Sequence, residues 1–458
     1  MTSLLVTGIH TLVTMNGARE EIRDACMLVR DGAIAYAGSV AAWPASRSEG
    51  EPDQVLDLKG RHLVMPGLVN THHHFYQTLT RAVPAAQNLD LFGWLKALYP
   101  VWENLTAAGV YASAQMCAAE LMLSGCTTAS DHLYIFPNDA TLDDEIRAVQ
   151  AMGLRFHASR GSMSVGASQG GLPPDSVVET EAAILADSRR LIEEWHDPAR
   201  HSMLRITLAP CSPFSVSPAL MRESAALARS VPGVRLHTHL AECQPDVDYS
   251  LAMFGQTPGQ YAESLGWVGT DVWHAHCVWL DEAAIGLFGR TGTGVAHCPC
   301  SNMRLASGLA PVGKLRRAGV AVGLGTDGAA SNDATNLLDE ARQAMLCARV
   351  RDLDASALTA REALDIATLG GARVLGRDDI GCLAPGMAGD FICIDLDRPE
   401  LAGAHHDPVA ALVLCGVRSV DYSFIGGRCV VERGELTTAE LPRLIEAVHR
   451  EAALMLTH

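Results

Sequence analysis

The sequence predicts an α/β protein, a (β/α)8 TIM barrel with a small β-sandwich domain formed by both chain termini. Three observations carry this. Apolar strand-like runs alternate with amphipathic helical stretches between residues 63 and 379, as parallel β/α units require. Chemistry-bearing polar side chains gather at the C-terminal ends of those runs, the face on which such barrels carry their active sites. Both chain ends hold short β-rich runs broken by Gly and Asp, and neither end could build a core alone.

Residues 1–62 supply LLVTGIHTLV, ACMLVRDGAIAYAG and QVLDLKGRHLV, with Asp31-Gly32 as a hairpin turn. Residues 380–440 supply GDFICIDLD, AALVLCG and VDYSFIGGRCVVERGEL, and residues 441–458 read as a C-terminal helix. Between them stand LVMPGLVNTHHH, TTASDHLY, GLRFHASRG, MLRITLAPCSP, GVRLHTHLAE, DVWHAHCV, TGVAHCPCS and AVGLGTDGAAS. That is the eight strands a closed barrel needs.

At 458 residues and 48% hydrophobic, the chain can bury a large core. Its 35 basic and 52 acidic residues give a formal charge of -17, which repels phosphate backbones and anionic lipid, so neither nucleic acid nor membrane is an expected partner. The 13 cysteines include no C-x-x-C pair and are odd in number, which argues against a disulfide scaffold and for a reducing cytoplasm. No basic n-region followed by a long apolar stretch opens the chain, and no run reaches the roughly 18 apolar residues of a membrane span.

The strand-end polar residues, in order, are His72, His73 and His74, then Cys211, then His237, His239 and Glu242, then His274 and His276, then His297, then Asp327. A lone histidine is more often a core or loop residue. Imidazole and carboxylate converging from several strands on one barrel mouth is instead a metal site with nitrogen and oxygen ligands. Side chains alternate faces along a strand, so His72 and His74 point inward together while His73 packs between strand and flanking helix. The same alternation leaves His237 and His239 on one face. Depth towards the mouth and the nearby Glu242 favour His239, and depth favours His276 over His274.

These residues resemble the amidohydrolase superfamily, in its atrazine/triazine chlorohydrolase and nucleobase deaminase branch. MPGLVNTHHH, HLAE, HAHCV, VAHCPCSN and GTDGAASN carry the resemblance in order along nearly the whole chain. HHHFYQTLTRA, APCSPFSVSP and HTHLAECQPDVDYS look most similar to the 8-oxoguanine deaminases. The resemblance implies His72, His74, His239 and Asp327 as ligands of one divalent metal, Zn2+ first and Fe2+ second, with Glu242 and His276 beside the attacking water. Many relatives hold two metals through a lysine on the fourth strand. Here MLRITLAPCSP has none, and the only lysines are Lys59, Lys96 and Lys314, so a mononuclear site follows.

The implied reaction is hydrolytic deamination of an amino-substituted, purine-like heterocycle to its keto form with release of ammonia, 8-oxoguanine to uric acid being the first choice. Asp327 would accept a proton from the water and His276 would orient the nucleophile. Glu242 would protonate the ring nitrogen and then deliver the proton that lets ammonia depart. Gln77, Cys211 and Trp94 are the expected substrate contacts. Gln77 can donate and accept along a purine edge, and Cys211 stands where thioadenosine-type deaminases carry histidine. Trp94, with Phe92 and Trp102 in the same segment, is expected over the mouth as a lid residue, and Ser331 and Asn332 are expected to hold the loop around Asp327. The alternatives are removal of an alkylamine from a hydroxytriazine, deamination of guanine or isoxanthopterin, and a non-catalytic scaffold barrel, which the full ligand set disfavours. Family members often form homo-oligomers, and the same is expected here.

Overall fold

A computed structural model describes residues 3–43 and 51–456. The remaining residues of the expected terminal unit and of the last helix, 1–2, 44–50 and 457–458, lie outside the described residues.

The chain opens with β1 (Ser3–Val13), β2 (Glu21–Arg30), β3 (Ala33–Ser39) and β4 (Gln54–Pro66). Eight strands then close a barrel: β5 (Leu68–Asn70), β6 (Cys126–Leu133), β7 (Arg155–Ser162), β8 (Leu204–Pro210), β9 (Arg235–Leu240), β10 (Val272–His276), β11 (Gly294–His297) and β12 (Val322–Leu324). Neighbours pair in parallel all the way round, each of the eight matching one of the expected runs, with β6 starting and β7 ending one residue beyond theirs. The chain ends through β13 (Phe391–Asp395), β14 (Tyr422–Ile425), β15 (Arg428–Glu432), β16 (Glu435–Leu436) and the helix Leu441–Leu456.

The terminal unit takes the form of one eight-stranded sheet, ordered β16-β15-β14-β13-β4-β1-β2-β3. Its two halves meet where β4 runs antiparallel to β13, Pro66 opposite Phe391 and Leu63 opposite Ile394. Asp31 and Gly32 both take positive φ, 47° and 79°, the turn an Asp-Gly hairpin calls for. Two runs differ from the sequence reading. LVMPGLVNTHHH is two strands, because the chain leaves the sheet at Pro66 and enters the barrel at Leu68. Gly67 makes the step possible: a Cβ there would lie 2.1 Å from the Thr127 side chain. AALVLCG is helical, Pro408–Leu414, because Asp407 caps its N-terminus and Pro408 stands in the first turn, where its missing N–H costs nothing.

The barrel floor, at the N-terminal ends of the strands, is closed by buried ion pairs. Arg155 grips Asp390 through Nε and a terminal nitrogen at 2.8 and 2.9 Å, and Arg377 grips Asp379 at 2.7 and 2.8 Å. Both arginines also donate to the Ser202 carbonyl, so the floor is stitched to the start of β8. Among the described residues no helix is long and apolar enough to cross a membrane.

Candidate metal centre and substrate cavity

His72 and His74 follow β5, His239 lies within β9, and Asp327 follows β12, so the four come from three barrel strands and strand ends. The hydrogen bonds on the far side of each ring set its proton. His74 Nδ1 is 2.7 Å from the His132 carbonyl and His239 Nδ1 is 2.7 Å from the Cys211 carbonyl. A carbonyl only accepts, so each Nδ1 carries the proton, and the neutral ring that ligation needs then keeps the Nε2 lone pair. His72 Nδ1 is taken by His237, 2.8 Å away, and its buried Nε2 has no hydrogen-bond partner.

Those three lone pairs face one another and Asp327. His74 Nε2 lies 3.2 Å from His239 Nε2, and Asp327 Oδ1 lies 3.3 Å from both His72 Nε2 and His74 Nε2. Two bare imidazole nitrogens at that distance repel each other unless a cation lies between them. Tetrahedral ligands about 2.0–2.1 Å from a metal stand about 3.3 Å apart, so the donor set fits a divalent ion. Burial lowers the pKa of His72, and that of His239 to about 3, which keeps both rings neutral as ligation needs. Burial would raise Asp327, but the neighbouring His72, His74 and His276 rings outweigh it and hold the carboxylate well below its usual range.

Beside this set, Glu242 Oε2 is 3.4 Å from His276 Nε2, while Glu242 Oε1 is buried without a partner. Burial first, then the charges of Asp327 and Asp246, push the Glu242 carboxyl well above the usual range, which favours its protonated form. His276 Nδ1 lies 2.9 Å from Asn302 Oδ1. Asp327 Oδ2 accepts from Ser301 Oγ at 2.5 Å and Ser331 Oγ at 3.2 Å. Ala241, His276, Cys277 and Asp327 take φ of 51°, 68°, 52° and 60°, left-handed conformations uncommon outside glycine, Asp and His adopting them more readily than Ala or Cys, and costing about 1–3 kcal/mol each. That four such residues cluster here marks the mouth as a place where placement outranks stability.

The expected residues are not all brought together. His73 turns away: its Nδ1 accepts the His74 backbone N–H at 2.7 Å and its ring meets Phe75 edge-on. Strand alternation puts His274 and His276 on one face, yet the structure separates them. His274 packs outward on Phe288 and bonds the Trp267 carbonyl, and the positive φ at His276 breaks the pleat and swings that ring inward. His297 is buried with neither ring nitrogen bonded and stands outside the donor set. Three participants went unnoticed in the sequence. His132, at the end of β6, stacks on His239 with 4.9 Å between centroids and lies in the donor cluster of His72, His74 and His239. It sat at a barrel strand end in TTASDHLY, the same signal that exposed the others. Ser301 and Asn302, adjacent in CPCSN, serve Asp327 and His276 respectively, and only their motif hinted at it.

A cavity opens above the centre. Its floor is His74, His239, Glu242, His276 and Asp327, and Tyr99, Tyr134, Trp94 and Phe214 contribute aromatic walls. No lysine or arginine lines it. Gln77 and Cys211 both line it. The Gln77 side chain is fully buried with neither amide atom bonded, and burial pushes the Cys211 thiol up to about 12, so it stands there as a neutral thiol. Trp94 is a fixed wall rather than a flap: it is buried and its indole N–H donates to the Ala330 carbonyl at 3.1 Å. Trp102 is wholly buried core, and Phe92 packs edge-on against Phe214. Asn332 braces the loop through the Thr326 carbonyl and Glu340, each at 2.7 Å.

A parallel barrel with histidines and a carboxylate converging on its mouth defines a metal-dependent hydrolase. The chain belongs to the amidohydrolase family, whose model matches residues 63–452, and so to hydrolases acting on C–N bonds. It is 46% identical to the 8-oxoguanine deaminase of Pseudomonas aeruginosa over 93% of this chain and 94% of that protein. It is 38% identical to the hydroxydechloroatrazine ethylaminohydrolase of Pseudomonas sp. strain ADP over 98% and 96%. Among solved structures, the atrazine chlorohydrolase of Arthrobacter aurescens TC1 complexed with zinc superposes with a TM-score of 0.92 at 32% identity, covering 98% of this chain and 100% of that one.

Proposed function

We propose that this chain deaminates a small, flat, amino-substituted heterocycle of purine type by hydrolysis, releasing ammonia, with 8-oxoguanine to uric acid as the specific reaction. One observation carries the reading: a protonated, partly unpartnered Glu242 stands beside His276 and Asp327 at the base of an aromatic-walled cavity that offers no cation to an anionic substrate. The high identity to an 8-oxoguanine deaminase over nearly the whole chain supports the choice of base.

His72, His74, His239 and Asp327 would hold the metal, for which Zn2+ is the first choice given the zinc-bound neighbour. When bound, the ion supplies the Lewis acidity that makes water nucleophilic near pH 7. Asp327 Oδ2 takes a proton from the attacking water, and His276 Nε2, its opposite nitrogen committed to Asn302, orients that water. As the C–O bond forms at the amine-bearing carbon, Glu242 gives its proton to the adjacent ring nitrogen, so no charge builds on the dearomatised ring. The proton held by Asp327 passes to the amine, the C–N bond breaks and ammonia leaves. The hydroxyl proton of the adduct returns to Glu242 as the keto group forms. The leaving-group proton comes from Asp327 in place of Glu242, because Glu242 has already given its own to the ring nitrogen. The aromatic walls, Trp94 among them, suit a planar ring, and Gln77 and Cys211 would read its edge.

An ammonia-release screen over 8-oxoguanine, guanine, isoxanthopterin, cytosine and hydroxytriazines tests the reading. Fastest turnover is expected with 8-oxoguanine. Release of ethylamine from an ethylamino-hydroxytriazine without ammonia from any base would replace it by the triazine reaction, and no turnover of any of them by zinc-loaded protein would overturn it.

A further inference from the structure

His237 is an interior histidine that takes no part in the proposed reaction. It lies on β9 two residues before His239, is wholly buried, and has both ring nitrogens engaged. Its Nδ1 is 3.0 Å from the Trp273 carbonyl and its Nε2 is 2.8 Å from His72 Nδ1. The carbonyl accepts, so Nδ1 carries the proton and Nε2 has only a lone pair to offer. The hydrogen between the two rings therefore belongs to His72 Nδ1, and His72 Nε2 is left bare towards Asp327 Oδ1, 3.3 Å away. No lone pair of His237 remains for a metal.

The ring is held in place as well as in protonation. It stacks on the Trp273 indole with centroids 4.5 Å apart and planes 16° from parallel. The indole N–H of Trp273 in turn donates to the Thr71 carbonyl at 3.1 Å, one residue before His72. A closed circuit results, from the first barrel strand through the fifth and sixth and back to the first. His74 and His239 bond carbonyls directly, whereas His72 reaches its carbonyl only through a second imidazole.

We infer that His237 is a positioning residue that fixes the tautomer and aim of His72 for metal binding, relaying the Trp273 carbonyl to it. The inference rests on the reading of His72 as a ligand. Partners of this kind are worth 10–100-fold in metal affinity in other sites.

Zn2+ is titrated into metal-stripped full-length protein against a competing chromophoric chelator, with His72→Ala, His237→Asn, His237→Leu, His237→Gln and His274→Leu alongside wild type. Asn can still donate to the Trp273 carbonyl but falls short of His72, Leu offers neither bond, and Gln offers both. Zn2+ binding is expected to weaken about 10–100-fold in His237→Asn and His237→Leu. It should recover most of that loss in His237→Gln and stay at the wild-type level in His274→Leu, whose ring lies outside the barrel interior. Imidazole 15N spectra of the metal-free protein should show His72 protonated at Nδ1 in wild type and His237→Gln, and a tautomer mixture in His237→Asn. If His237→Leu does not fold, the Asn and Gln pair decides. Zn2+ affinity in His237→Asn equal to wild type, an equal loss in Asn and Gln, or an unchanged His72 tautomer in Asn would overturn the inference. Undiminished Zn2+ binding by His72→Ala would instead overturn the ligand reading on which it rests.

Discussion

The two ends of the barrel treat buried polar groups in opposite ways. At the floor, Arg155, Asp390, Arg377 and Asp379 are almost wholly buried, and each charge is matched by an opposite charge at hydrogen-bond distance. At the mouth, His72 Nε2, the Gln77 amide and Glu242 Oε1 are equally buried and have no partner. A folded chain tolerates unpaired groups only where something else will complete them or where the cost is accepted for function. The ion pairs of the floor are finished by folding, although His157 beside them keeps two unbonded ring nitrogens, and the mouth is finished by what binds there.

Three experiments probe that contrast. The largest effect is expected from Glu242→Gln at the mouth, which removes the transferable proton while keeping size and shape. Steady-state kinetics should show kcat reduced about 10²–10⁴-fold, with thermal stability unchanged or raised because a buried acid has gone. A loss of stability at full activity would reverse the roles assigned to the two ends. Asp390→Ala at the floor should do the opposite. Leaving the Arg155 charge buried and unpaired costs about 3–5 kcal/mol in denaturant unfolding, while kcat per folded molecule stays within a few fold. The double change Arg155→Met with Asp390→Leu should return much of that loss, since apolar replacement of a buried pair is often neutral.

The smallest effect concerns pH. Burial pushes Glu340, which accepts from Cys300 and Asn332 behind the mouth, up to about 7. Its folded pKa lies above the unfolded value near 4.5, so its contribution is fully present below about pH 4.5. That contribution is lost as pH rises through about 7. At the floor, burial alone would raise Asp379, but Arg377 overrides it and holds the carboxyl well below its usual range, so this stability is present above about pH 4 and lost on further acidification. Stability curves should therefore lose part of their decline between pH 4.5 and 7 in Glu340→Gln, and part of their acid lability in Asp379→Asn. An unchanged profile in both would show that neither group titrates differently on folding.

Much of this was legible beforehand, for identifiable reasons. All eight barrel strands could be read because buried parallel strands are short apolar runs with few competing interpretations, and the mouth followed from where polar residues stop those runs. What escaped depends on local departures from ideal geometry or on partners distant in sequence. Alternation could not anticipate the left-handed residue at His276 that separates it from His274. AALVLCG carries an apolar pattern short enough to suit either state, and its cap decided for helix. Ser301 and Asn302 look like ordinary loop polar residues until the eighth and sixth strands bring Asp327 and His276 against them.

The step at Gly67 has a bearing on how the protein is made. The strand that leads into β5, and so to His72 and His74, is anchored by pairing Pro66 with Phe391, so the approach to the metal centre is moored to a segment synthesised much later. Contacts of such long range form late. The donor cluster should therefore reach its final spacing only after β13 has emerged, and truncated chains ending before β13 should expose the β4 edge to aggregation instead of capturing metal.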